Sequence, residues 1–316
     1  MSDFDGPIAV IAGGLSHERD VSLASGRHMV RELRAVGVEV SSYDFDRNLL
    51  HHLERDKVVA AVPVLHGQFG EDGEIQTLLE LIGLPFVGSS SRACRVAFDK
   101  GTARELLRRA EIPVPESVGL SAQTFRDIGA TALMEHVMER LGERVVVKPT
   151  RGGSALGVTG VDGLAELPSA LVGTYAYYDE ALIELFYPGA NVSVVVRDTD
   201  AGVTPLAPIE IDFVKGHEFD FSARYTAEFV GLRTPDFDPA VVEELGRTAV
   251  RAHEVLGLRD VSRSDFIVSP DGSFVVLETA ITPGTTETSV FPFACTASGT
   301  TLGEVTRDLL TRALAR

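Results

Sequence analysis

The stretch Arg263-Ser264-Asp265-Phe266-Ile267-Val268-Ser269-Pro270-Asp271-Gly272-Ser273-Phe274-Val275-Val276-Leu277-Glu278-Thr279 decides the fold of the C-terminal part of this chain. Two β-rich runs flank Pro-Asp-Gly, a turn signal because proline presets one dihedral and glycine accepts a positive one. The segment is therefore predicted to be a β-hairpin. A turn centred on Asp271-Gly272 sets Asp265 directly opposite Glu278, with Cβ atoms roughly 4.5–5.5 Å apart. Two such carboxylates repel, and each raises the other's pKa unless a cation lies between them. Residues two apart share a face, which adds Arg263 and Ala280 to the acidic one, while Phe266, Val268, Val275 and Leu277 read as the core face. Two readings fit the acidic face: a hard bivalent cation, Mg²⁺ shared with substrate phosphates, or a solvated edge with two unrelated acids.

Upstream of the hairpin the chain reads as strands Leu182–Leu185, Val192–Val196 and Val203–Ile211. A helix Ala240–Leu256 follows, whose Val241, Val242, Leu245, Ala249, Ala252 and Leu256 keep helical spacing. The N-terminal part has a different rhythm. Apolar strands Ile8–Ala12, Val38–Tyr43 and Val58–Leu65 alternate with helices near Val21–Ala35 and Ile75–Ile82, the pattern of a parallel α/β sheet. Between these parts a helix near Thr102–Ala110, the passage IPVPES and the strand Val145–Val147 form a unit of mixed order. The fold class is α/β, passing to α+β in the C-terminal part.

The 316 residues are 44% apolar and 24% charged, which suits a globular protein of two or three domains. The longest apolar run, Val58–Leu65, falls far short of the roughly 18 residues a spanning helix needs. The acidic start MSDFDGP does not read as a secretory signal, so a cytoplasmic protein with no membrane partner is expected. A net charge of -17 opposes nucleic-acid binding, whose affinity comes from neutralising phosphates. Cys94 and Cys295 are far apart in the chain; they support neither a disulfide framework nor a thiolate metal cluster and are expected to be buried.

Three further segments carry chemistry. In VVVKPTRGGSALGV (145–158) a strand delivers Lys148 into a loop with Gly152, Gly153 and Gly157. Glycines let backbone N–H groups approach phosphate oxygens, and Lys148 and Arg151 supply cations. A plain glycine-rich turn is the competing reading, because neither GxxxxGK[ST] nor GxGxxG follows a strand and Leu156 takes the place of the last glycine of GxSxG. AGGLSHERDVS (12–22) puts Glu18 and Asp20 at a helix entry, either as caps that complement the helix dipole or at the crevice that α/β sheets build beyond their strand ends. VLHGQFGEDGEIQ (64–76) repeats the arrangement with His66, a residue that alone is more often structural than chemical.

In this order the segments resemble the ATP-grasp family, and within it the D-alanine–D-alanine ligase family, over nearly the whole chain. AGGLSHERDVSLASG resembles that family's first glycine-rich signature, HGQFGEDGEIQTLLELIGLPFVGS its second, and FDK (98–100) its nucleotide-binding lysine segment. VVVKPTRGGSALGV, SRSDFIV and VVLETAITPGTTETSV follow at the expected intervals. The resemblance implies a three-domain ATP-grasp fold: residues 1–98 an N-terminal substrate-binding unit, 99–186 a central unit, and 187–316 a C-terminal unit carrying the metal and catalytic site. It implies ATP with Mg²⁺ (or Mn²⁺), Lys100, Lys148, Gly153, Ser154, Glu184 and Asn191 around the nucleotide, and Asp265 and Glu278 on the metal. By the same resemblance Glu18 binds the amine of the first D-alanine, the loop around Ser154 closes over the phosphates, and Arg263 with the backbone of Gly284 stabilises charge on the reacting carboxyl. His66, Arg224, Ser289 and Val290 are implied to hold substrate, and Tyr225 matches a position that is Tyr in dipeptide-forming and Phe in depsipeptide-forming relatives. The implied reaction converts one D-alanine carboxylate to an acyl phosphate, from which the amine of a second D-alanine displaces phosphate. The implied setting is peptidoglycan synthesis for the cell wall, by a homodimer.

Three positions depart from the family pattern. Ala280 stands where a metal-binding Asn is usual, Arg224 where a lysine lies near the second carboxylate, and Asn191 where a glutamate contacts the ribose. These leave two alternatives: a specialised ligase or cyclase of secondary metabolism acting on another amino acid, and a catalytically weak nucleotide-binding homologue.

Overall fold

In the computed structural model, residues 4–128, 130–213 and 230–316 are described. The N-terminal part runs β1 (Ile8–Ala12), α1 (Arg19–Ala35), β2 (Val40–Asp44), α2 (Leu49–Arg55), β3 (Ala60–Pro63), α3 (Glu74–Leu81), α4 (Ser91–Phe98) and α5 (Lys100–Arg109). Next come β4 (Ser117–Ser121), α6 (Ala122–Ile128), α7 (Ala130–Leu141), β5 (Arg144–Pro149), β6 (Thr159–Asp162), α8 (Leu167–Tyr175) and β7 (Glu180–Leu185). The last part holds β8 (Ala190–Thr199), β9 (Gly202–Pro205), β10 (Ile209–Phe213), β11 (Val230–Arg233), α9 (Pro239–Val255), β12 (Val261–Val268), β13 (Phe274–Ala280), α10 (Val290–Ala297) and α11 (Leu302–Leu314).

Among the described residues the strands form three sheets. The first, in the order β2-β1-β3, is parallel, and β1 and β3 are buried along their whole length, as apolar strands covered on both faces must be. The second, β4-β7-β5-β6, is antiparallel and packs on Met134, Val137 and Leu141 of α7 and Leu167 and Leu171 of α8. The third runs β11-β10-β8-β12-β13, with β9 on β8. Cores cross these divisions: Ala93, Ala97, Ala103 and Leu107 of α4 and α5 pack with Val194, Leu245 and Phe266 of the third sheet and α9, while Phe291, Val305 and Leu309 of α10 and α11 pack with Val10 and Leu33 of the first unit. Among the described residues no helix is long and apolar enough to cross a membrane. Both cysteines are buried.

Caps explain where several helices begin. Asp99 accepts from Thr102 N–H at 2.9 Å and starts α5 two residues before the apolar periodicity does. Asp238 with Pro239 opens α9, and Thr301 with Glu304 forms a capping box on α11.

Two expectations need correction. The run Val203–Ile211 is not one strand: Pro205 and Pro208 lack the N–H that a ladder needs, so β9 ends at Pro205 and β10 begins at Ile209. In the hairpin, Asp265 does face Glu278 and Arg263 faces Ala280, but nearer the turn Phe266 pairs with Val276 and Val268 with Phe274. The turn holds three residues: Gly272 N–H donates to Ser269 O at 2.9 Å with Gly272 at φ 83°, and Ser269 N–H donates to Ser273 O at 2.8 Å. The register then shifts between Asp265 and Phe266, leaving Leu277 as the extra residue. Phe274 and Val276, not Val275 and Leu277, therefore share the core with Phe266 and Val268. Phe266 is fully buried, with its ring edge-on to Phe274 at 5.6 Å. Phe266→Ala is expected to cost about 3–5 kcal/mol of stability, read as a lowered urea midpoint at unchanged slope.

Candidate active site

The carboxyl ends of β1 and β3, the loop after β5 and the hairpin β12–β13 converge on one cavity of about 530 Å³. Each described residue expected at the site lines it: Glu18 and His66; Lys100, Lys148, Gly153, Ser154, Glu184 and Asn191; Arg263, Asp265, Glu278, Gly284, Ser289 and Val290. Arg224 and Tyr225 lie outside the described residues.

Glu18 precedes the first turn of α1, but its side chain caps nothing. The carboxylate instead accepts from Ser154 Oγ across the cavity, which removes the bland reading of this acid as a helix cap. Burial is the main cause that pushes its pKa up; the Ser154 bond and Lys100 oppose it. Gly67 is required here, since its φ is 67° and a Cβ on it would collide with Glu18 Oε2. His66 follows β3 and is buried, its Nε2 hydrogen-bonded with Ser25 Oγ at 3.0 Å. Burial, reinforced by Arg263, lowers its pKa to about 4, so the ring is neutral at neutral pH.

The loop after β5 carries Gly152 at φ 141° and Ser154 and Ala155 at 54° and 61°, a left-handed pair that stores strain at the cavity wall. Lys148, on β5, is buried and its Nζ lies 2.7 Å from Glu184 on β7. Burial pulls its pKa down and Glu184 pulls it back up. Lys100 opens α5, donates to Gly152 O at 2.5 Å and stands 3.4 Å from Glu278. Arg151 is a correction: its guanidinium pairs with Asp99 at 3.0 Å instead of entering the cavity with Lys148.

Cations accompany both hairpin acids. Arg263 donates to Asp265 from Nε and from its terminal nitrogen at 2.7 Å each and stands 4.0 Å from Glu278, while Ser193 on β8 donates to Asp265 at 2.6 Å. Ala280 offers no oxygen from its side chain. Among the described residues no three His, Cys, Asp or Glu side chains are grouped to hold a metal. Two carboxylates remain, the number with which Mg²⁺ is commonly bound when phosphates and waters complete its shell. Beyond β13, Ser289 Oγ accepts from Thr286 N–H at 3.1 Å, and a Cβ on Gly284 would come within 2.9 Å of it. Val290 begins α10 and lines the cavity, so its N–H group has no intrahelical acceptor and sits at the positive end of the helix dipole.

Three lining or supporting residues were not singled out from sequence. Glu71 is buried beside Glu18, with its pKa pushed up to about 8 by burial and then by Glu18. Arg104 is buried, pairs with Glu184 and donates to Leu277 O at 3.2 Å, bracing the bulge next to Glu278. Its position four residues after Lys100 puts both on one helix face, a signal the sequence contained. Ser193 reaches Asp265 because β8 adjoins β12, and strand order is not written in the sequence.

Two family profiles match this chain: one described as "D-ala D-ala ligase C-terminus" over residues 106–311 and one described as "D-ala D-ala ligase N-terminus" over residues 48–89. A D-alanine–D-alanine ligase of Geobacter sulfurreducens is 36% identical over 290 residues, covering 90% of this chain and 86% of that protein. One from Carboxydothermus hydrogenoformans is 34% identical over 309 residues, with 96% of each covered. Among solved structures, the D-alanine–D-alanine ligase of Bacillus anthracis complexed with ATP superposes with a TM-score of 0.82 at 24% identity and 98% coverage of both chains, which speaks to the fold. VanG D-Ala:D-Ser ligase from Enterococcus faecalis gives 0.82 at 25% identity, over 98% of this chain and 100% of that one.

Proposed function

The chain belongs to the D-alanine–D-alanine ligase family, and from that premise we propose that its cavity joins two D-alanines in a reaction coupled to cleavage of ATP to ADP and phosphate. The observation that carries the reading is the meeting of Lys100, Lys148, the opposed pair Asp265 and Glu278, and the buried Glu18 in one cavity. Asp265 and Glu278 would hold Mg²⁺ or Mn²⁺, which supplies charge neutralisation at the phosphates when bound.

The residues of the chain account for the rest. Lys100 and Lys148 attract and orient the phosphates, with Glu184 and Asn191 nearer the nucleoside end. Lys148 is held in place by Glu184, itself anchored by Arg104. Glu18 takes the ammonium of the first D-alanine, with His66 holding the loop around it through Ser25. The carboxylate of that D-alanine attacks the γ-phosphorus, ADP leaves, and the amine of the second D-alanine displaces phosphate from the acyl carbon. Arg263 and the backbone N–H of Gly284 stabilise the oxyanion formed on the way. Ser289 and the N–H of Val290, at the start of α10, receive the second carboxylate. Gly153 and Ser154 form the wall that closes over the phosphates; by resemblance alone Arg224 is assigned to the second carboxylate and Tyr225 to the catalytic residues, as the Tyr that goes with an amine nucleophile. The same reading makes the protein a cytoplasmic homodimer, and it divides the chain near residues 98 and 186.

Phosphate release measured across a panel of amino acids tests this. Release with D-alanine as sole amino acid, with D-alanyl-D-alanine as product, is expected. Release only with another amine, D-serine included, would instead support a specialised ligase, the reading that Ala280 favours by altering the metal-facing surface. Silence with every amine would leave a nucleotide-binding homologue. Ala280→Asn adds an amide oxygen to the face of Asp265 and Glu278, and is expected to tighten Mg²⁺ about 3- to 10-fold in a magnesium titration of turnover.

A further inference from the structure

Glu18 and Glu71 are 4% and 8% exposed, and no Lys, Arg or His nitrogen among the described residues comes within ion-pair distance of either carboxyl. Both reach the same point of the wall: a Cβ on Gly153 would lie 3.2 Å from Glu18 Oε1 and 3.5 Å from Glu71 Oε2. Glu71 accepts Gly67 N–H at 2.8 Å and Glu18 accepts Ser154 Oγ–H, leaving other lone pairs facing the cavity they line. Two buried carboxyls with no ion-pair partner among the described residues are costly to ionise together, and such pairs lower that cost by keeping one proton.

The geometry points to Glu71 as a proton-holding partner of Glu18: in the free protein the pair carries one proton, held on Glu71, and the ammonium of an incoming amino acid displaces that proton to solvent. This rests on the reading of Glu18 as the amine-binding residue and adds Glu71 to the specificity for a cationic substrate. Charge balances, since one positive charge enters and one leaves. Burial and Glu18 hold the Glu71 carboxyl protonated up to about pH 8. Lys100 from α5 opposes this, and Glu278 from β13 reinforces it. His17 faces Glu18, Cys94 on α4 faces Glu71, and Arg263 faces His66, which is already neutral. Because the proton competes with the ammonium, apparent affinity for the amino acid rises with pH and levels off near pH 8.

Calorimetric titration of D-alanine into the protein with Mg²⁺ and ADP, in two buffers of different ionisation enthalpy, counts the protons released. Roughly one proton per D-alanine at pH 7 is expected, with Kd improving about tenfold per pH unit between pH 6 and 7.5. In Glu71→Gln, which keeps an acceptor for Gly67 N–H, release and pH dependence should both vanish. Proton release that survives in Glu71→Gln, or that disappears in His17→Gln instead, overturns the proposal. Infrared spectra of the free protein at pH 7 read that proton without any substrate, as a protonated carboxyl band lost in Glu71→Gln. Absence of that band in the parent protein also overturns it. Failure to bind D-alanine with the band intact counts against the substrate assignment while supporting the proton pair.

Discussion

Arg263→Met is expected to lower kcat/KM by about 10³-fold, with the loss in kcat larger than that in KM for ATP. Arg263 is the group that compensates Asp265 through two hydrogen bonds, and it lies at the edge of Glu278. Methionine keeps the aliphatic stem and removes the planar fork, so packing is largely kept while the charge that would meet the oxyanion is gone. Arg263→Lys should recover little, because a single ammonium cannot bind Asp265 through two parallel donors and face a substrate oxygen together. Steady-state rates of phosphate release, together with the midpoint of thermal unfolding, separate this from a folding defect. An Arg263→Met protein with turnover within tenfold of the parent would remove Arg263 from the reaction.

Lys148→Met is expected to lower kcat/KM for ATP by about 10²- to 10³-fold. Lys148 is the buried cation at the floor of the cavity, delivered by β5 and fixed by Glu184 at 2.7 Å. Removing it leaves Glu184 paired with Arg104, so the buried anion is not orphaned and the fold should persist. Arg104→Met removes the other partner and the brace on Leu277 O, and should lower stability more than Lys148→Met does. Nucleotide binding followed by calorimetry, beside denaturation curves of both variants, checks the ordering.

How far the sequence carried the fold can be judged at the hairpin. Alternation and the Pro-Asp-Gly turn were enough to set Asp265 against Glu278, because a strand's side-chain period is two and a turn fixes register. The agreement came from two departures that cancel: a three-residue turn moves the register, and the bulge at Leu277 moves it back. Neither is encoded in a local pattern. Parallel strands and amphipathic helices at the N-terminus were legible through periodicity, and the break between β9 and β10 is written in Pro205 and Pro208, which interrupt an otherwise apolar run.

For the site, glycine-rich segments and lysines were legible because a phosphate needs close backbone approach and positive charge. Arg151 shares that chemistry but is held outside the cavity by Asp99, a contact between residues 52 positions apart that no spacing rule supplies. The meeting of Glu18 with Glu71 depends on β1 lying beside β3, and Ser193 meets Asp265 only because β8 adjoins β12. Such neighbours are fixed by strand order, which the sequence pattern leaves open.

In the proposed reaction Asp265 and Glu278 would together hold one divalent ion against nucleotide phosphates gripped by Lys100 and Lys148. Electron paramagnetic resonance of Mn²⁺ titrated into the protein with a non-hydrolysable ATP analogue tests it most directly. A protein-bound Mn²⁺ signal is expected that needs the nucleotide and weakens at least tenfold in Asp265→Asn and in Glu278→Gln alike. An unchanged signal in both variants, or no bound Mn²⁺ in the parent protein with nucleotide present, would contradict it.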